Sequence, residues 1–291
     1  MLHDSINSKK FTLAIIVASF WGCFYFLRLV FSGFLILPQS FPLGPLTIHY
    51  YGIIMAIAVA AGFYFAVRRA KNYNIGESQA EDILFWTIIG GFIGARLYHV
   101  LSSAGYYYQY PIDIFKVWNG GLSIYGAVLG GIISLVICKK AVSCQLSSVS
   151  LLDWLAPCVL LGQIIGRFGN LFNYEAFGYP TGLPWKMFVP SNFRPQIYQN
   201  FNFFHPFFLY EILGNFLILL LLQKVFKFRR PGSLFFFYVL LYNALRFCLE
   251  FLRIDSTFIY GFRLNALMSL ILCAAALAGL LYVRSRHVQI S

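Results

Sequence analysis

The sequence predicts an all-α fold, a polytopic bundle of about seven to eight transmembrane helices with an extracytoplasmic loop cap. Of its 291 residues, 59% are hydrophobic and 11% are charged, whereas soluble domains carry roughly 25% charged residues. Apolar runs of about 20 residues recur along the chain, and this length crosses a hydrocarbon core of about 30 Å. The runs are continuously apolar rather than alternating, which argues against a β-barrel.

The apolar runs define eight candidate spans. They are Phe11–Phe26, Thr47–Val67, Ile83–Leu101, Leu122–Cys138, Leu151–Phe172, Pro206–Leu222, Ser233–Leu252 and Leu264–Val283. The first span has an alternative interpretation as a signal peptide, because a short basic segment precedes it. No small-residue cleavage site follows this span, so an uncleaved first helix is favoured.

The formal net charge of +12 includes short basic clusters that lie next to the apolar runs. These clusters contain Lys9, Lys10, Arg68, Arg69, Lys71, Lys139, Lys140, Lys224, Lys227, Arg229, Arg230, Arg284 and Arg286. Eight spans threaded from a cytoplasmic N-terminus place every cluster on the same side, which is the positive-inside pattern. The charge therefore indicates a multi-pass protein of the plasma membrane rather than a nucleic-acid-binding protein.

The longest connection on the opposite side, Asn173–His205, has about 30 residues and is rich in Pro, Asn, Phe and Tyr. Loops of this length are usually functional or disordered, and the composition favours a folded extracytoplasmic cap. Glycine pairs at Gly90–Gly91, Gly120–Gly121 and Gly130–Gly131 have two open interpretations. They allow close helix packing, or they form backbone that lines a cavity.

Cysteine spacing gives no indication of a metal site. The six cysteines form no CxxC pair, and most lie inside apolar runs, where they behave as small hydrophobic residues. We therefore assign no chemistry to these cysteines.

Four polar side chains lie at or near the end of the fifth span, where an apolar helix should avoid them. They are Arg167, Asn170, Asn173 and Glu175. Arg167, Asn170 and Tyr174 fall on one helical face by the i, i+3, i+7 spacing. A snorkelling arginine would explain one of these groups, but two amides and a carboxylate within the same two turns indicate a functional site.

A second polar stripe follows the seventh span through Tyr242, Arg246, Glu250 and Arg253. Arg246 and Glu250 are spaced for a direct ion pair. Such a pair is either a structural salt bridge that fixes helix packing or part of an anion site. A second arginine at membrane depth, Arg167, favours the anion site.

Three further segments place polar groups at membrane depth or at its boundary. Arg96 and His99 lie in the third span, His205 precedes the sixth, and Tyr51 lies at the outer end of the second. A boundary histidine is more often a hydrogen-bonded cap than a catalyst, and interfacial tyrosines are ordinary. Arg96 is more informative, because an unpaired guanidinium in lipid is severely disfavoured.

The arginines Arg96, Arg167 and Arg246 predict the class of ligand, since few carboxylates are available to neutralise them. Guanidinium binds phosphate bidentately, and phospholipid headgroups are the membrane's own source of phosphate. The residues therefore predict a cavity, open to the outer leaflet, that holds a phospholipid by its phosphate. A phospholipid transporter or flippase would share these features, but the sequence shows no internal repeat of the kind that many transporters carry.

The segment Gly166–Gly178 resembles the signature of the bacterial prolipoprotein diacylglyceryl transferase family, with every fixed position present. Further matches follow in the family's order, at Ile48–Gly52, Gly94–Leu97, Gly120–Gly126, His205–Glu211 and Arg246–Phe251. The resemblance runs from about Gly44 to the end of the chain. It predicts an N-terminal extension at residues 1–43, with an extra membrane helix, and a transferase membrane domain at residues 44–291.

The resemblance implies an enzyme that transfers the diacylglyceryl group of phosphatidylglycerol to the lipobox cysteine thiol of prolipoproteins. The products would be a thioether and glycerol-1-phosphate. The family acts in the bacterial cytoplasmic membrane, and the active site is expected to face the outer leaflet. No metal and no organic cofactor are implied.

Roles for individual residues follow from this resemblance and the chemistry. Arg167 and Arg246 are expected to stabilise the negative charge that develops on the leaving phosphate. Glu175 and Glu250 would orient these arginines or the glycerol hydroxyls. Expected contacts with the substrate come from Arg167, Asn170, Asn173, Tyr51, Gly178, Arg96 and His205.

Tyr125 departs from the family pattern, because many members carry a histidine there that has been considered as the base for the thiol. An ordinary tyrosine, with a pKa of about 10, is a poor general base near neutral pH. Tyr125 is therefore either a catalytic group or a residue that only positions the substrate. His99, His205 and Glu250 are the alternative proton acceptors.

Overall fold

A computed structural model describes residues 19, 21–44, 46–225 and 230–285 of the chain. Within these residues the helices are α1 (Trp21–Phe31), α2 (Tyr50–Ala70), α3 (Glu77–Ser102), α4 (Ala104–Gln109), α5 (Ile124–Ala141), α6 (Ser148–Asn173), α7 (Phe207–Val225), α8 (Ser233–Glu250) and α9 (Leu264–Ser285). Seven of the described helices are long and apolar enough to cross a membrane, namely α2, α3 and α5 to α9. The predicted polytopic helical fold is confirmed.

The predicted first span, Phe11–Phe26, lies for the most part outside the described residues. The predicted bounds of the other spans differ from the helices at their ends. Helix α3 begins at Glu77 rather than at Ile83, because a polar first turn precedes its apolar run. There the side chain of Gln79 accepts a hydrogen bond from the backbone N–H of Gly76, at 3.3 Å, and so caps the helix.

Three short antiparallel strand pairs lie between the helices in the described part of the chain. They pair β1 (Ser40–Leu43) with β2 (Leu46–His49), β3 (Met187–Phe188) with β4 (Phe203–Phe204), and β5 (Phe258–Ile259) with β6 (Phe262–Arg263). Single 3₁₀ turns occupy Lys71–Tyr73, Pro111–Phe115, Val117–Asn119, Ser191–Phe193 and Gln196–Tyr198.

The chain divides into two compact units. The first unit comprises Met1–Ala58, Gln163–Leu220 and Val239–Ala276, and the second comprises Val59–Gly162, Leu221–Tyr238 and Leu277–Ser291.

Glycine packing brings helices α3 and α5 of the second unit into backbone contact. A Cβ placed on Gly94 would lie 2.8 Å from the Cα of Gly130, and one placed on Gly130 would lie 2.9 Å from the Cα of Gly94. This close approach is what small residues permit between membrane helices. Close packing is therefore the correct interpretation for Gly130. Gly120 and Gly121 instead have φ angles of 89° and 77°, which shape the turn before α5.

The second unit has a buried apolar core around Trp154. This side chain is fully buried and donates a hydrogen bond from Nε1 to the carbonyl of Ala66, at 2.8 Å. The neighbouring carboxylate of Asp153 accepts hydrogen bonds from the backbone N–H groups of Gly232, at 2.5 Å, and Phe235, at 2.7 Å. Asp153 thus satisfies donors at the start of α8 that have no partner within the helix.

The predicted cap segment, Asn173–His205, is folded in the first unit. Phe204, Met187 and Val189 are almost fully buried. The ring of Phe193 stacks on that of Tyr174, with 4.9 Å between centroids. Buried aromatic and aliphatic side chains explain why so long a connection adopts a fixed structure.

Replacing Gly94 with Ala tests the close contact between α3 and α5. The added methyl group must displace the backbone of α5, so we expect the free energy of unfolding to fall by about 1–3 kcal/mol. Thermal unfolding of the purified protein in detergent measures this. Gly105→Ala in α4 is the control, because a Cβ there meets nothing within 4 Å. Equal melting temperatures for the two variants would contradict the packing interpretation.

Candidate active site

One buried carboxylate, Glu211, holds two arginines in the first unit. Glu211 is 2% exposed. Its Oε2 lies 2.8 Å from Nε of Arg167, and its Oε1 accepts hydrogen bonds from Nη2 of Arg167, at 3.0 Å, and Nη1 of Arg246, at 2.8 Å. A forked contact of this kind fixes the guanidinium plane. Glu211 therefore joins the end of α6, the start of α7 and the end of α8.

A second buried carboxylate, Glu250, extends this network. Nη2 of Arg246 lies 3.1 Å from Oε2 of Glu250, which is 0% exposed. The other oxygen of Glu250 accepts hydrogen bonds from Oγ of Ser256, at 2.9 Å, and Nδ2 of Asn265, at 3.0 Å. Glu250 thus has the additional hydrogen bonds that make a buried ion pair tolerable.

These contacts correct one premise of the sequence analysis. The ion pair predicted from the spacing of Arg246 and Glu250 is present. The sequence suggested too few carboxylates to neutralise the arginines, but Arg167 and Arg246 also share Glu211. Glu211 lies on a different helix from both arginines, whereas Glu250 lies one helical turn from Arg246. The sequence motif that contains Glu211 did not predict its pairing with the arginines. A phosphate is therefore not required to neutralise the two arginines, and the case for a ligand rests on the cavity beside them.

The cavity beside Arg167 has a volume of about 450 Å³ and a polar lining. It is lined by Gln39, Arg167, Asn170, Asn173, Tyr174, Glu175, Ala176, Phe177, Phe193, Pro195, Arg253, Ile254 and Asp255. Four predicted site residues, Arg167, Asn170, Asn173 and Glu175, therefore meet at one hollow. Arg246 and Glu250 do not line it, and the side chain of Arg246 is 13% exposed against 28% for Arg167.

The end of α6 turns Glu175 into this cavity. The helix ends at Asn173, and Tyr174 and Ala176 have φ angles of 53° and 52°. The backbone N–H of Glu175 donates to the carbonyl of Asn170, at 3.1 Å, and Nδ2 of Asn173 donates to the Glu175 carboxylate, at 3.2 Å. Tyr174 lies one residue beyond the helix and has a left-handed φ angle, but it lines the same cavity as Arg167 and Asn170.

An ion pair of Arg253 and Asp255 lies at the rim of the cavity. Nη2 of Arg253 lies 2.7 Å from Oδ2 of Asp255, and Nε contacts Oδ1. Burial alone would raise the pKa of Asp255, but the Arg253 guanidinium lowers it below its ordinary value. Asp255 is therefore a charged partner of Arg253 at neutral pH rather than a proton acceptor.

Gly178 and His205 lie next to each other at the turn that follows α6. The backbone N–H of Gly178 donates to the carbonyl of His205, at 2.9 Å. A Cβ on Gly178 would lie 3.0 Å from the Cβ of His205 and still closer to the carbonyl oxygen of Leu252. Only glycine leaves room for these two neighbours. Gly178 was predicted to contact the substrate, but it is not among the residues that line the cavity.

His205 belongs to a chain of three polar side chains. Nε1 of Trp185 donates to the hydroxyl of Tyr210, at 2.8 Å, and this hydroxyl lies 3.0 Å from Nδ1 of His205. If Tyr210 donates to Nδ1, all three groups are satisfied. Burial lowers the pKa of His205, which favours the neutral imidazole that this arrangement needs.

Tyr51 packs against α6 between two predicted site residues. A Cβ on Gly169 would lie 2.6 Å from Cδ2 of Tyr51, so the ring occupies the space that this glycine leaves. Gly169 lies between Arg167 and Asn170 in the sequence. The pairing explains why a glycine is needed within this stretch of α6.

Arg96 lies in the second unit, and its guanidinium donates hydrogen bonds to backbone carbonyls. Its Nε donates to Ile114, at 2.9 Å, its Nη1 to Gly120 and Gly121, at 2.7 and 3.0 Å, and its Nη2 to Asp113, at 2.5 Å. The guanidinium thus fixes the loop between α4 and α5. These carbonyls accept its hydrogen bonds without neutralising its charge, and the contact of Arg96 with a phosphate stays a prediction.

Tyr125 also lies in the second unit, in the first turn of α5. Its side chain is 64% exposed, and its ring centroid lies 6.0 Å from that of Tyr98. The hydroxyl forms no hydrogen bond with any residue in the described part of the chain.

Sequence reasoning missed several residues that shape the site. Glu211 was recognised only as part of a motif, and Gln39, Asp255, Ser256 and Asn265 were not singled out. Their roles depend on contacts between segments far apart in the chain. The one available signal was the charge balance, because an apolar chain with two arginines at membrane depth needs carboxylates near them.

Comparison with known proteins identifies the family of this chain. Residues 38–282 match the family model described as prolipoprotein diacylglyceryl transferase. The chain belongs to this family. Relatives named phosphatidylglycerol–prolipoprotein diacylglyceryl transferase include one from Thermotoga maritima, 38% identical over 265 residues, which are 90% of each chain. Another, from Fervidobacterium nodosum, is 37% identical over 95% of this chain and 96% of its own. A third, from Thermosynechococcus vestitus, is 39% identical over 82% and 89%.

The family predicted from Gly166–Gly178 is thus confirmed. The family match begins at residue 38, about six residues before Gly44, where the resemblance seen in the sequence begins. With seven helices among the described residues able to cross a membrane and bacterial relatives such as these three, the chain is a multi-pass bacterial membrane protein and an enzyme of the transferase class.

Glu211→Gln tests the carboxylate that joins the two arginines. The change keeps the shape but leaves Arg167 and Arg246 without their shared negative charge. We expect a loss of about 3–5 kcal/mol in the free energy of unfolding, seen as a lower melting temperature in detergent. Asp255→Asn is the matched control, since its side chain is 58% exposed and an exposed pair contributes about 0–1 kcal/mol. A Glu211 variant as stable as the control would show that the shared carboxylate contributes little.

Proposed function

We propose that this chain transfers the diacylglyceryl group of phosphatidylglycerol to the lipobox cysteine thiol of prolipoproteins. The observation that carries the proposal is the polar cavity in which Arg167, held by Glu211, meets Asn170, Asn173 and Glu175. These residues lie in the segment that resembles the family signature. The relatives' names supply the donor lipid and the class of acceptor.

The reaction breaks one carbon–oxygen bond and forms one carbon–sulfur bond. The cysteine sulfur, after losing its proton, attacks the carbon of the diacylglyceryl group that is bonded to the phosphate oxygen. The electron pair of the broken bond stays on the oxygen of the leaving glycerol-1-phosphate. A thioether joins the diacylglyceryl group to the acceptor, and negative charge accumulates on the phosphate.

Arg167 is the group that we assign to this phosphate. Its Nε and Nη2 are held by Glu211, while its Nη1 makes no hydrogen bond with the described residues and the side chain lines the cavity. A preorganised donor in a dry site stabilises developing charge more than the same donor in water. We assign Arg246, whose two Nη atoms contact Glu211 and Glu250, to holding Glu211 in place.

The remaining residues at the cavity suit the headgroup. Asn170 and Asn173 provide amide groups for the headgroup glycerol. Tyr51 packs against Gly169 between them and Arg167. Gly178 lies in the turn that follows α6. The carboxylates that line the cavity are Glu175 and Asp255, and Asp255 is paired with Arg253. We therefore assign to Glu175 the role of the base that accepts the proton of the cysteine thiol. Glu250 is fully buried in its own network, and Nδ1 of His205 faces Tyr210.

The basic clusters at one end of the spans indicate that the cavity faces the outer leaflet, by the positive-inside rule. A lipobox peptide emerging from the membrane on that side would meet phosphatidylglycerol there. The direct experiment incubates the purified protein with labelled phosphatidylglycerol and a lipobox peptide and looks for the thioether product by mass spectrometry. Absence of this product would contradict the proposal.

Arg167→Lys tests the phosphate contact. Lysine keeps the charge but loses the planar fork that Glu211 orients, so the transfer rate should fall by about 100-fold or more. The rate of thioether formation and the amount of protein in the membrane are both measured. Arg28→Lys, at an exposed position, is the control and should retain the full rate. A normal rate for Arg167→Lys would remove Arg167 from the proposed role.

Glu175→Gln and Tyr125→Phe together test which group takes the proton. We expect Glu175→Gln to lower the transfer rate by about 100-fold or more, because the amide has no proton affinity. Tyr125→Phe should retain the rate within about threefold, since its hydroxyl has no partner among the described residues. The same thioether assay reads both. The opposite result, loss with Tyr125→Phe alone, would assign the chemistry to the tyrosine hydroxyl.

A further inference from the structure

Gln39 is held in place at one wall of the cavity. Its backbone carbonyl accepts a hydrogen bond from the N–H of Tyr50, at 3.0 Å, at the start of α2. Two residues earlier, the N–H of Leu37 donates to the hydroxyl of Tyr174, at 2.6 Å. One residue later, Ser40 begins the β1–β2 hairpin. The position of Gln39 is therefore fixed on both sides, although the residue lies in a connection rather than in a helix.

The side chain of Gln39 is oriented by one of its two polar ends. Nε2 donates to the backbone carbonyl of Asn173, at 3.4 Å, at the end of α6. Oε1 forms no hydrogen bond with any residue that the structure describes. An exposed amide that lines a polar cavity thus has one end anchored and its acceptor end free for a ligand.

The chemistry of the free end selects its partner. An amide oxygen accepts hydrogen bonds and does not donate them. An ionised phosphate diester has no O–H or N–H group to donate, so it is not a partner for this oxygen. A hydroxyl or an ammonium group is suitable. The donor lipid in the relatives' names, phosphatidylglycerol, carries hydroxyl groups and no ammonium group in its headgroup. A hydroxyl is therefore the group that fits Oε1.

We propose that Gln39 is a specificity-determining residue, whose Oε1 accepts a hydrogen bond from a hydroxyl of the glycerol headgroup of the lipid substrate. This inference rests on the proposed function, because it assigns one wall of the same cavity. Arg167 would recognise the phosphate that all such lipids share. Gln39 would recognise the headgroup hydroxyl, which distinguishes phosphatidylglycerol from lipids with an alkyl headgroup.

The experiment compares two donor lipids that differ only in the headgroup hydroxyls, phosphatidylglycerol and phosphatidylpropanol with the same acyl chains. Thioether formation is measured for the wild type, for Gln39→Leu and for Gln145→Leu, and the ratio of kcat/KM for the two lipids is the readout. Gln145 is the matched control, an exposed glutamine whose Nε2 also donates to a backbone carbonyl at 3.4 Å. If the wild type does not turn over phosphatidylpropanol, its inhibition constant replaces kcat/KM.

Gln39→Leu should lower the preference for phosphatidylglycerol by about three- to tenfold, the size of one neutral hydrogen bond. The loss should fall on phosphatidylglycerol, while phosphatidylpropanol and the Gln145→Leu variant behave as the wild type does. A parallel loss for both lipids, or an unchanged ratio, would overturn the inference and leave Gln39 with a structural role. A wild type that transfers neither lipid would instead overturn the proposed function.

Discussion

The site depends on one carboxylate that two guanidinium groups share. Glu211 is almost fully buried and contacts Arg167 on α6 and Arg246 on α8. Separately, each of these charges would be severely disfavoured at membrane depth. Together they also fix geometry, because the carboxylate holds one edge of the Arg167 guanidinium. The opposite edge is then presented to the cavity in a single orientation, which is what an anion site in a low-dielectric environment requires.

The chain satisfies its arginines in two different ways. Arg167 and Arg246 use carboxylates, whereas Arg96 uses four backbone carbonyls of the loop between α4 and α5. Carbonyls do not neutralise the positive charge, but they accept hydrogen bonds from the guanidinium N–H groups, and these bonds order a long loop. The first solution leaves a donor available to a ligand, and the second holds a loop in place. The two kinds of arginine therefore have different roles although the sequence gives both the same apolar surroundings.

Sequence patterns predicted the helices well because membrane spans are defined by composition and length, which are local properties. The predicted fifth span, Leu151–Phe172, differs from α6 by three residues at one end and one at the other. The segment Gly166–Gly178 likewise identified Arg167, Asn170, Asn173 and Glu175 as a group. Pairings between distant segments were not predictable, since spacing along the chain says nothing about whether Glu211 or a backbone carbonyl meets a given arginine. Gln39 was missed for the same reason.

The shared carboxylate also restricts how a lipid phosphate can bind. A phosphate that replaced Glu211 on both arginines would leave a buried carboxylate without a partner, which is strongly destabilising. In the proposed mode of binding, the phosphate therefore meets Arg167 while Glu211 remains in contact with it. The anion would then lie at the free edge of one guanidinium, in the cavity that Asn170 and Asn173 also line. Since a single cation recognises any phosphate ester, discrimination between lipids has to come from groups that contact the rest of the headgroup.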